Sequence, residues 1–401
     1  MSVTLQSSSL TDTLRVFKVL GTKHCPKKIL RCVQAHTHDG SLILRYTNGG
    51  EHLEARIPLE GELDMVATPL ADILAALKGI PKKSPVTLAT DGEAPSQTLM
   101  IENPTTGSFA AIPCRDYPPF PLIHNPAHVL DIYAESLFAA LSAVNPAVAG
   151  EGRLRYALNG IQLGTHPDDG TLCTVATDGR RLAYRPLQIP TPDGWPKEEK
   201  APILPATAVS ALLAILKGHT KPVALAFVPH NDTADFYHYS ISLPLPSVGW
   251  TIAGETLEGR FPDWHTVIPD TKATDDETGE LLRVSVDFPS CAVLSALKTA
   301  PKIDAPLLLD FDGDETLNLS MRNEETGVSW QSKIETVHKH PLQFCVKRKF
   351  LTDALKTFGD NDTIQFNAKA GGDGSKQWAP GIWCVPRSAT APFWLIMSMV
   401  L

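Results

Sequence analysis

Hydrophobic residues recur at helical spacing in three segments of the chain, and each segment continues into a strand-like run. The segments are 69–90, 205–227 and 349–366. Leucine or isoleucine at intervals of three to four residues gives each predicted helix one apolar face. Each helix is predicted to end at a glycine, because glycine readily adopts the left-handed conformation found after a helix C-terminus. These glycines, roughly 140 residues apart, are Gly79, Gly218 and Gly359.

A second amphipathic helix is predicted earlier in each third of the chain, over 7–21, 134–146 and 288–301. Ser9 or Thr11 supplies an N-terminal signal for the first one, because their side chains can accept from free backbone N–H groups. Most of the remaining sequence alternates hydrophobic and polar residues with the period of a strand. Two helices and about eight strands, repeated three times, predict an α+β protein rather than a Rossmann or barrel enzyme.

The repeat predicts three domains in this chain of 401 residues. Their expected ranges are 1–125, 126–272 and 280–401, and the polar, acidic stretch 271–280 is the expected linker between the last two. Apolar runs stay well below 18 residues, and the first residues lack a basic segment followed by an apolar one. We therefore expect neither a transmembrane helix nor a signal peptide. Seven scattered cysteines, an odd number, favour reduced thiols and a cytoplasmic location.

Several stretches superficially resemble metal, phosphate or catalytic sites. The alternating carboxylates of 310–315 lack the full calcium loop, and the glycine-rich 370–377 lacks the Gly-Lys-Ser/Thr order of a phosphate loop. The histidines and cysteines of 24–38 match no common zinc spacing. No catalytic triad has a recognisable sequence context. The sequence therefore predicts a non-enzymatic protein without cofactor or metal.

The formal net charge is −8, yet basic residues concentrate at the C-terminal ends of the predicted helices. Taken singly, such cations complement the helix dipole. Taken together, they allow a basic wall that holds nucleic-acid phosphates without reading bases. The first predicted helix of the middle third carries no lysine or arginine. The candidate DNA-binding residues on and near helices are Arg15, Lys18, Lys23, Lys78, Lys82, Lys217, Lys221, Lys298, Lys302 and Lys356.

The segment TVATDGRRLAY, 174–184, predicts two strands joined by a tight turn. Asp178-Gly179 is a strong turn signal, because glycine takes a positive φ without steric cost. Leu182 and Tyr184 alternate with Arg181 and Arg185, the pattern of a half-buried strand. Local features alone indicate no more than a surface hairpin.

Three further stretches give this hairpin a context: RYALNGIQL at 155–163, EGRFPDWHTVIP at 258–269 and WLIMSMVL at 394–401. In this order and at these distances, the four stretches resemble the bacterial replicative sliding clamp, the beta subunit of DNA polymerase III. The resemblance covers most of the chain, more loosely in the first third. It implies three similar domains per chain and two chains joined head to tail in a six-domain ring around duplex DNA.

In that family the four stretches wall a pocket for a short linear motif of polymerases and other clients. In such a pocket we expect Arg181 either to bond a client carbonyl or carboxylate or to brace Asp263. Arg155 and Tyr156 match positions on a loop that contacts DNA in the family, and Lys23 lies near a loop position that is basic there. The implied pocket residues are Leu158, Thr177, Gly179, Arg180, Arg181, Leu182, Pro262, Val267, Met397 and Met399.

The sequence departs from the family pattern at the pocket. The family tail reads Met-Pro-Met-Arg-Leu, whereas this chain has Met-Ser-Met-Val-Leu at 397–401, and Thr266 replaces a basic residue. These changes predict a more apolar pocket with different client preferences. The tail is also expected to be an edge strand that completes the third domain, a role compatible with the pocket.

The resemblance implies a DNA polymerase processivity factor that is opened on DNA by an ATP-driven clamp loader and tethers the polymerase catalytic subunit and other motif-bearing clients. Its dimer interface is expected around 108–112, against the third domain of the other chain. The alternative is a clamp-like adaptor that dimerises and binds client peptides without loading on DNA. An enzyme on a repeated α+β fold is disfavoured, because no catalytic constellation is present.

Overall fold

The structure is a computed structural model of the 401-residue chain. It describes residues 1–21, 25–92, 97–103, 105–110, 117–150, 156–166, 169–230, 236–268, 283–312, 315–336, 342–358, 363–369, 381–386 and 392–397. The expected linker 271–280 and the glycine-rich 370–377 lie outside these residues. None of the described helices is long and apolar enough to cross a membrane.

Six α-helices are described, two in each third of the chain. They are α1 (Ser7–Phe17), α2 (Leu70–Ala76), α3 (Ala134–Val144), α4 (Ala206–Leu216), α5 (Ser290–Thr299) and α6 (Arg348–Leu355).

The described residues form twenty-four strands, eight in each third. The first third contains β1 (Ser2–Gln6), β2 (Cys32–His38), β3 (Ser41–Thr47), β4 (His52–Pro58), β5 (Val66–Pro69), β6 (Pro85–Asp91), β7 (Thr98–Asn103) and β8 (Thr105–Ala110). The second contains β9 (His128–Tyr133), β10 (Gly160–Thr165), β11 (Thr171–Thr177), β12 (Arg181–Pro190), β13 (Ile203–Pro205), β14 (Pro222–Pro229), β15 (Tyr237–Leu243) and β16 (Gly249–Glu255). The third contains β17 (Arg283–Pro289), β18 (Leu307–Phe311), β19 (Thr316–Arg322), β20 (Ser329–Glu335), β21 (Leu342–Val346), β22 (Thr363–Lys369), β23 (Gly381–Pro386) and β24 (Phe393–Met397).

The predicted α+β repeat is confirmed. Each third follows one order of elements: a strand, a helix, four strands, a helix and three strands, so that α1, α3 and α5 correspond, as do α2, α4 and α6. Gly79 and Gly218 follow α2 and α4 with φ of +93° and +80°, the left-handed conformation expected of a helix C-terminus. Gly359 lies outside the described residues.

The first helix begins at residue 7 as predicted, but the expected N-terminal signal at Ser9 or Thr11 is wrong, because both residues lie inside α1. The helix begins at Ser7, and Gln6 before it makes no side-chain capping bond. The backbone N–H groups of Ser7 and Ser8 instead donate to the carbonyls of Ser84 and Lys82, at 2.9 and 3.0 Å. Tertiary structure thus satisfies two of the four free N–H donors of the first turn without a capping side chain.

The chain divides into two compact units. Unit 1 comprises Met1–Phe138, Pro192–Trp195 and Pro202–Gly259, and unit 2 comprises Ala139–Thr191, Pro196–Ala201 and Arg260–Leu401. The division runs through the middle third, so compactness does not follow the sequence repeat.

Unit 1 contains an eight-stranded antiparallel sheet in the order β5-β2-β3-β4-β16-β15-β14-β9 and a four-stranded sheet in the order β1-β6-β7-β8. Its core includes Phe17 of α1, which stacks on Tyr46 at 5.5 Å and meets Trp250 edge-on at 6.0 Å. Phe17 is fully buried. Aromatic side chains of this size dominate the energetics of a core, and they fix α1 on the sheet.

Unit 2 contains strands in the order β10-β11-β12-β24-β23-β22-β17 and a four-stranded sheet in the order β20-β19-β18-β21. The last third joins the middle third here through the antiparallel pair β12–β24. Unit 1 joins the first and middle thirds in the same way, through β4–β16. The same joint between successive repeats therefore occurs once in each unit.

Candidate functional site

The predicted hairpin turn is present between β11 and β12 in unit 2. Gly179 has a φ of +81°. The Asp178 carboxylate accepts from the backbone N–H groups of Arg180 and Arg181, at 2.9 and 3.1 Å. The hydroxyl of Thr177 donates to the Arg181 carbonyl at 2.7 Å and accepts from the Gly179 N–H at 3.1 Å. The side chains of Thr177 and Asp178 therefore hold the turn by hydrogen bonds, and Gly179 supplies the positive φ that the turn requires.

Arg181 anchors this turn from inside the protein. Its guanidinium donates to Asp178 at 3.2 Å, to Asp353 of α6 at 2.8 Å and to the Pro146 carbonyl. The guanidinium carbon also lies over the Phe350 ring, 4.4 Å from its centre, a favourable cation–π geometry. Arg181 is only 5% exposed. The expected brace to Asp263 is wrong, because the carboxylates paired with Arg181 belong to Asp178 and Asp353.

The C-terminal strand lies directly beside the hairpin. Residues 393–396 of β24 pair with residues 181–184 of β12 in antiparallel register, and the Met397 N–H donates to the Arg180 carbonyl at 3.0 Å. β23 pairs with the other side of β24. β24 is therefore an outer strand of the four that the last third contributes to this sheet, and it becomes an interior strand of the whole sheet because β12 of the middle third pairs with it. Residues 398–401 lie outside the described part of the chain.

Residues 261–265, Phe-Pro-Asp-Trp-His, form the FPDWH segment, which packs beside the same two strands through aromatic side chains. Tyr184 of β12 stacks on Phe393 of β24 with ring centres 4.8 Å apart, and Trp264 lies 5.2 Å from Tyr184 on a tilted plane. Trp264 is 1% exposed. His265, its neighbour, makes a 3.0 Å hydrogen bond between Nε2 and the Thr165 carbonyl. The aromatic contacts and the pairing of β12 with β24 bring three of the four family-like stretches together, and β10 of the fourth is paired with β11.

The predicted pocket residues differ in what they offer to a ligand. Leu158, Thr177 and Leu182 are buried, and Pro262 is half-buried. Val267 is 47% exposed and Met397 is 51% exposed. These two apolar side chains are therefore accessible to a ligand. Met399 lies outside the described residues.

Unit 1 contains a second copy of this turn, which the sequence pattern alone did not predict. Between β3 and β4, the Thr47 hydroxyl donates to the Glu51 carbonyl at 2.8 Å and accepts from the Gly49 N–H at 2.9 Å. The Asn48 side chain accepts from the N–H groups of Gly50 and Glu51. The signal was the local likeness of Thr-Asn-Gly-Gly-Glu at 47–51 to Thr-Asp-Gly-Arg-Arg at 177–181.

The buried side chain at the end of the second turn is acidic instead of basic. Glu51 accepts from the Thr207 hydroxyl of α4 at 2.6 Å, as Arg181 donates to Asp353 of α6 in unit 2. The two turns thus share the same hydrogen bonds to their backbone. They differ in the buried side chain at the end of the turn and in its partner on the helix.

Four predicted DNA-binding residues lie together in unit 1. Arg15, Lys18, Lys78 and Lys82 line one groove of about 320 Å³ beside α1 and α2. All four are exposed, and Arg15 pairs with Asp12 at 3.1 Å. A groove with four cations suits a phosphate-bearing partner.

The remaining described candidates are also exposed. Lys217 and Lys221 lie just after α4, Lys298 lies in the last turn of α5, and Lys356 caps α6. Lys302 follows α5, and the Tyr156 side chain is 63% exposed. Lys23 and Arg155 lie outside the described residues.

Three repeats of two helices and eight strands, joined through paired strands, are the architecture of a DNA clamp. Residues 131–263 match the family model described as the DNA polymerase III beta subunit, central domain. The chain is 27% identical over 299 residues to the beta sliding clamp of Vibrio cholerae, which spans 74% of this chain and 75% of the relative. It is 24% identical over 277 residues to the beta sliding clamp of Pseudomonas aeruginosa, covering 67% and 68% of the two chains.

Solved structures show the same fold. The DNA polymerase III subunit beta from Pseudomonas aeruginosa has a TM-score of 0.78 at 19% identity, over the full length of both chains. A sliding clamp from Bartonella birtlesii, bound to griselimycin, has a TM-score of 0.80 at 20% identity, again over both full chains. The family model and the two relatives bear out the resemblance to the beta sliding clamp family, and the solved structures show that this chain has the clamp fold.

Proposed function

We propose that this chain is the sliding clamp that holds a DNA polymerase on duplex DNA, acting as a non-catalytic homodimeric ring in the cytoplasm. The main support is that the hairpin 174–184, the FPDWH segment and β24 pack on one another in unit 2. We further propose that the three domains have the boundaries 1–125, 126–272 and 280–401. Tethering raises the local concentration of the polymerase at the primer, so that rebinding is intramolecular.

We propose that clients bind beside the hairpin through a short, partly apolar peptide. Val267 and Met397 supply exposed apolar surface, whereas Leu158 and Leu182 are buried. Methionine adapts to different client side chains. Arg181 acts as a positioning residue that fixes the turn, because its guanidinium is engaged with Asp178 and Asp353.

The peptide site is tested by Met397→Asp and Val267→Asp, with binding of a fluorescent client-motif peptide as the readout. Each variant is expected to weaken binding at least tenfold, since a charge then faces an apolar peptide. Val328→Asp is the matched control, because Val328 is a 40% exposed apolar residue elsewhere in unit 2. Equal binding by all three variants would contradict the site.

We propose that the ring closes between edge strands. β8 is an outer strand of the sheet β1-β6-β7-β8, and β20 and β21 are the outer strands of the four-stranded sheet in unit 2. An open edge offers unpaired backbone groups to a second chain. Of the predicted interface 108–112, residues 111 and 112 lie outside the described part. Sedimentation across a dilution series should give twice the 43.5 kDa chain mass; a monomer would contradict the ring.

The second candidate is an adaptor that dimerises and binds clients without encircling DNA. One observation favours it: α3 has no lysine or arginine, unlike α1 and α5. Retention on DNA separates the candidates, after assembly by the clamp loader on nicked circular DNA. A ring should stay on the circle at high salt and leave after linearisation, whereas an adaptor should show no dependence on linearisation.

A further inference from the structure

Three metal-ligating side chains with no part in the proposed function meet at one end of the β14–β15 hairpin in unit 1. Nδ1 of His230 lies 2.9 Å from Nε2 of His238. Nδ1 of His238 lies 3.5 Å from Oε1 of Glu255. One ligand atom from each residue lies within 4.8 Å of those of the other two. This is the only such group among the residues that the structure describes.

The backbone fixes where these side chains lie. His238 of β15 pairs directly with Glu255 of β16 in the antiparallel register. His230 follows β14, and its N–H donates to the Phe236 carbonyl at 3.2 Å. The His230 ring also stacks on the Phe236 ring, with centres 4.5 Å apart and planes 26° apart. Register and stacking together hold both imidazoles in place, which reduces the entropic cost of binding a ligand.

The proton arrangement is favourable for a metal. A proton on Nδ1 of His238 can be donated to Glu255, and this leaves the Nε2 lone pair directed at His230. When the His230 proton moves to its own Nε2, the Nδ1 lone pair faces the same point. A carboxylate that holds the second nitrogen of a ligating histidine is the usual support of a metal site, since it fixes the tautomer and raises ligand basicity.

We propose that His230 Nδ1 and His238 Nε2 bind a divalent transition ion such as Zn²⁺ or Ni²⁺, with Glu255 positioning His238. Two imidazoles favour these ions over Mg²⁺ or Ca²⁺, which prefer oxygen ligands. Nitrogens at tetrahedral positions on zinc are about 3.3 Å apart, so the rings need to separate by only a few tenths of an ångström. The His238 and Glu255 side chains are 38% and 57% exposed, so that an ion reaches the site from solvent and water completes its coordination.

The test is calorimetric titration of the tag-free full chain with NiCl₂ or ZnCl₂, in a Cys291→Ser background that removes an exposed thiol. One ion per chain is expected at this site. His230→Ala and His238→Ala should each abolish it, and Glu255→Ala should weaken it about 10- to 100-fold, as loss of a supporting carboxylate does.

His38→Ala is the matched control, because His38 is an exposed imidazole beside a carboxylate, Asp39, at 3.2 Å. Its affinity should equal that of the parent. If His238→Ala binds as tightly as the parent, or if the parent binds no ion, the proposal is overturned. Nickel-induced broadening of the His230 and His238 ring resonances in the parent gives a measurement that is independent of the variants, and broadening at other histidines instead would also overturn it.

Discussion

Arg181 shows how a residue expected to contact a client can serve the fold instead. Its position after the Asp-Gly turn was evident from the sequence, but its partners Asp353 and Pro146 are distant in the chain. The buried Arg181 stabilises one arrangement of the turn, because Asp178 would otherwise be left without its cation, whereas Asp353 also pairs with Lys349 at 2.7 Å. The rigidity of the hairpin tip therefore depends on side chains of α6.

Arg181→Met should lower the stability of the chain markedly. The Arg181 and Asp178 side chains are 4% and 8% exposed, and removal of one partner of a buried pair costs about 3–5 kcal/mol. The measurement is the urea unfolding midpoint. Arg180→Met, at an exposed neighbouring position, should change it by less than about 0.5 kcal/mol. If both substitutions lowered the unfolding midpoint equally, the buried ion pairs would not be the source of this stability.

The half-buried His52 predicts a loss of stability in acid. Burial lowers the pKa of His52 below its ordinary 6.5. Above pH 6.5 His52 is neutral in both folded and unfolded chains; below it, the unfolded chain binds the proton more readily, so stability falls as the pH decreases. His52→Gln should therefore reduce the difference in unfolding free energy between pH 7.5 and pH 5.5. The same substitution at exposed His38 serves as the control, and an unchanged difference in His52→Gln would contradict this origin.

The turn at 177–181 is the element on which the candidate site depends. Gly179 has a φ of +81°, although a Cβ there would meet nothing within 4 Å. Backbone conformation, not space, is thus the reason for glycine. Gly179→Val should cost about 1–2 kcal/mol, the penalty of a left-handed residue with a side chain, and Gly179→Asn should cost less. Gly150→Val is the control in open space without a positive φ. Equal unfolding midpoints for all three would contradict this account.

Periodicity was sufficient to predict the helices and the repeat, because each helix has its own apolar stripe. Gly79 and Gly218 also mark the ends of α2 and α4. It was insufficient for strand pairing. β12 and β24 are separated by about 200 residues of sequence, and nothing in either strand identifies the other. Only the resemblance to the sliding clamp family implied that 174–184 and the C-terminal stretch lie side by side. The twin turn at 47–51 was missed because Glu51 replaces the arginine of the better-known motif, while the backbone bonds are unchanged.

At the scale of the whole molecule, an acidic chain is proposed to bind a polyanion, so the location of its cations matters more than their sum. The groove lined by Arg15, Lys18, Lys78 and Lys82 concentrates positive charge beside two helices. Each phosphate that the protein neutralises releases condensed counterions, so binding to duplex DNA weakens with salt in proportion to the number of neutralised phosphates. Sequence-independent sliding follows from contacts of this type.

Lys78→Gln combined with Lys82→Gln should weaken DNA binding equally for unrelated sequences. The slope of log affinity against log salt should decrease by roughly 2, about 0.9 for each phosphate that a lysine no longer neutralises. Fluorescence anisotropy with two unrelated duplexes measures both effects. Lys197→Gln with Lys200→Gln removes two exposed lysines outside the groove and should leave the slope unchanged. If both double variants lower the slope equally, the groove has no special part in DNA binding, and general charge attraction accounts for it.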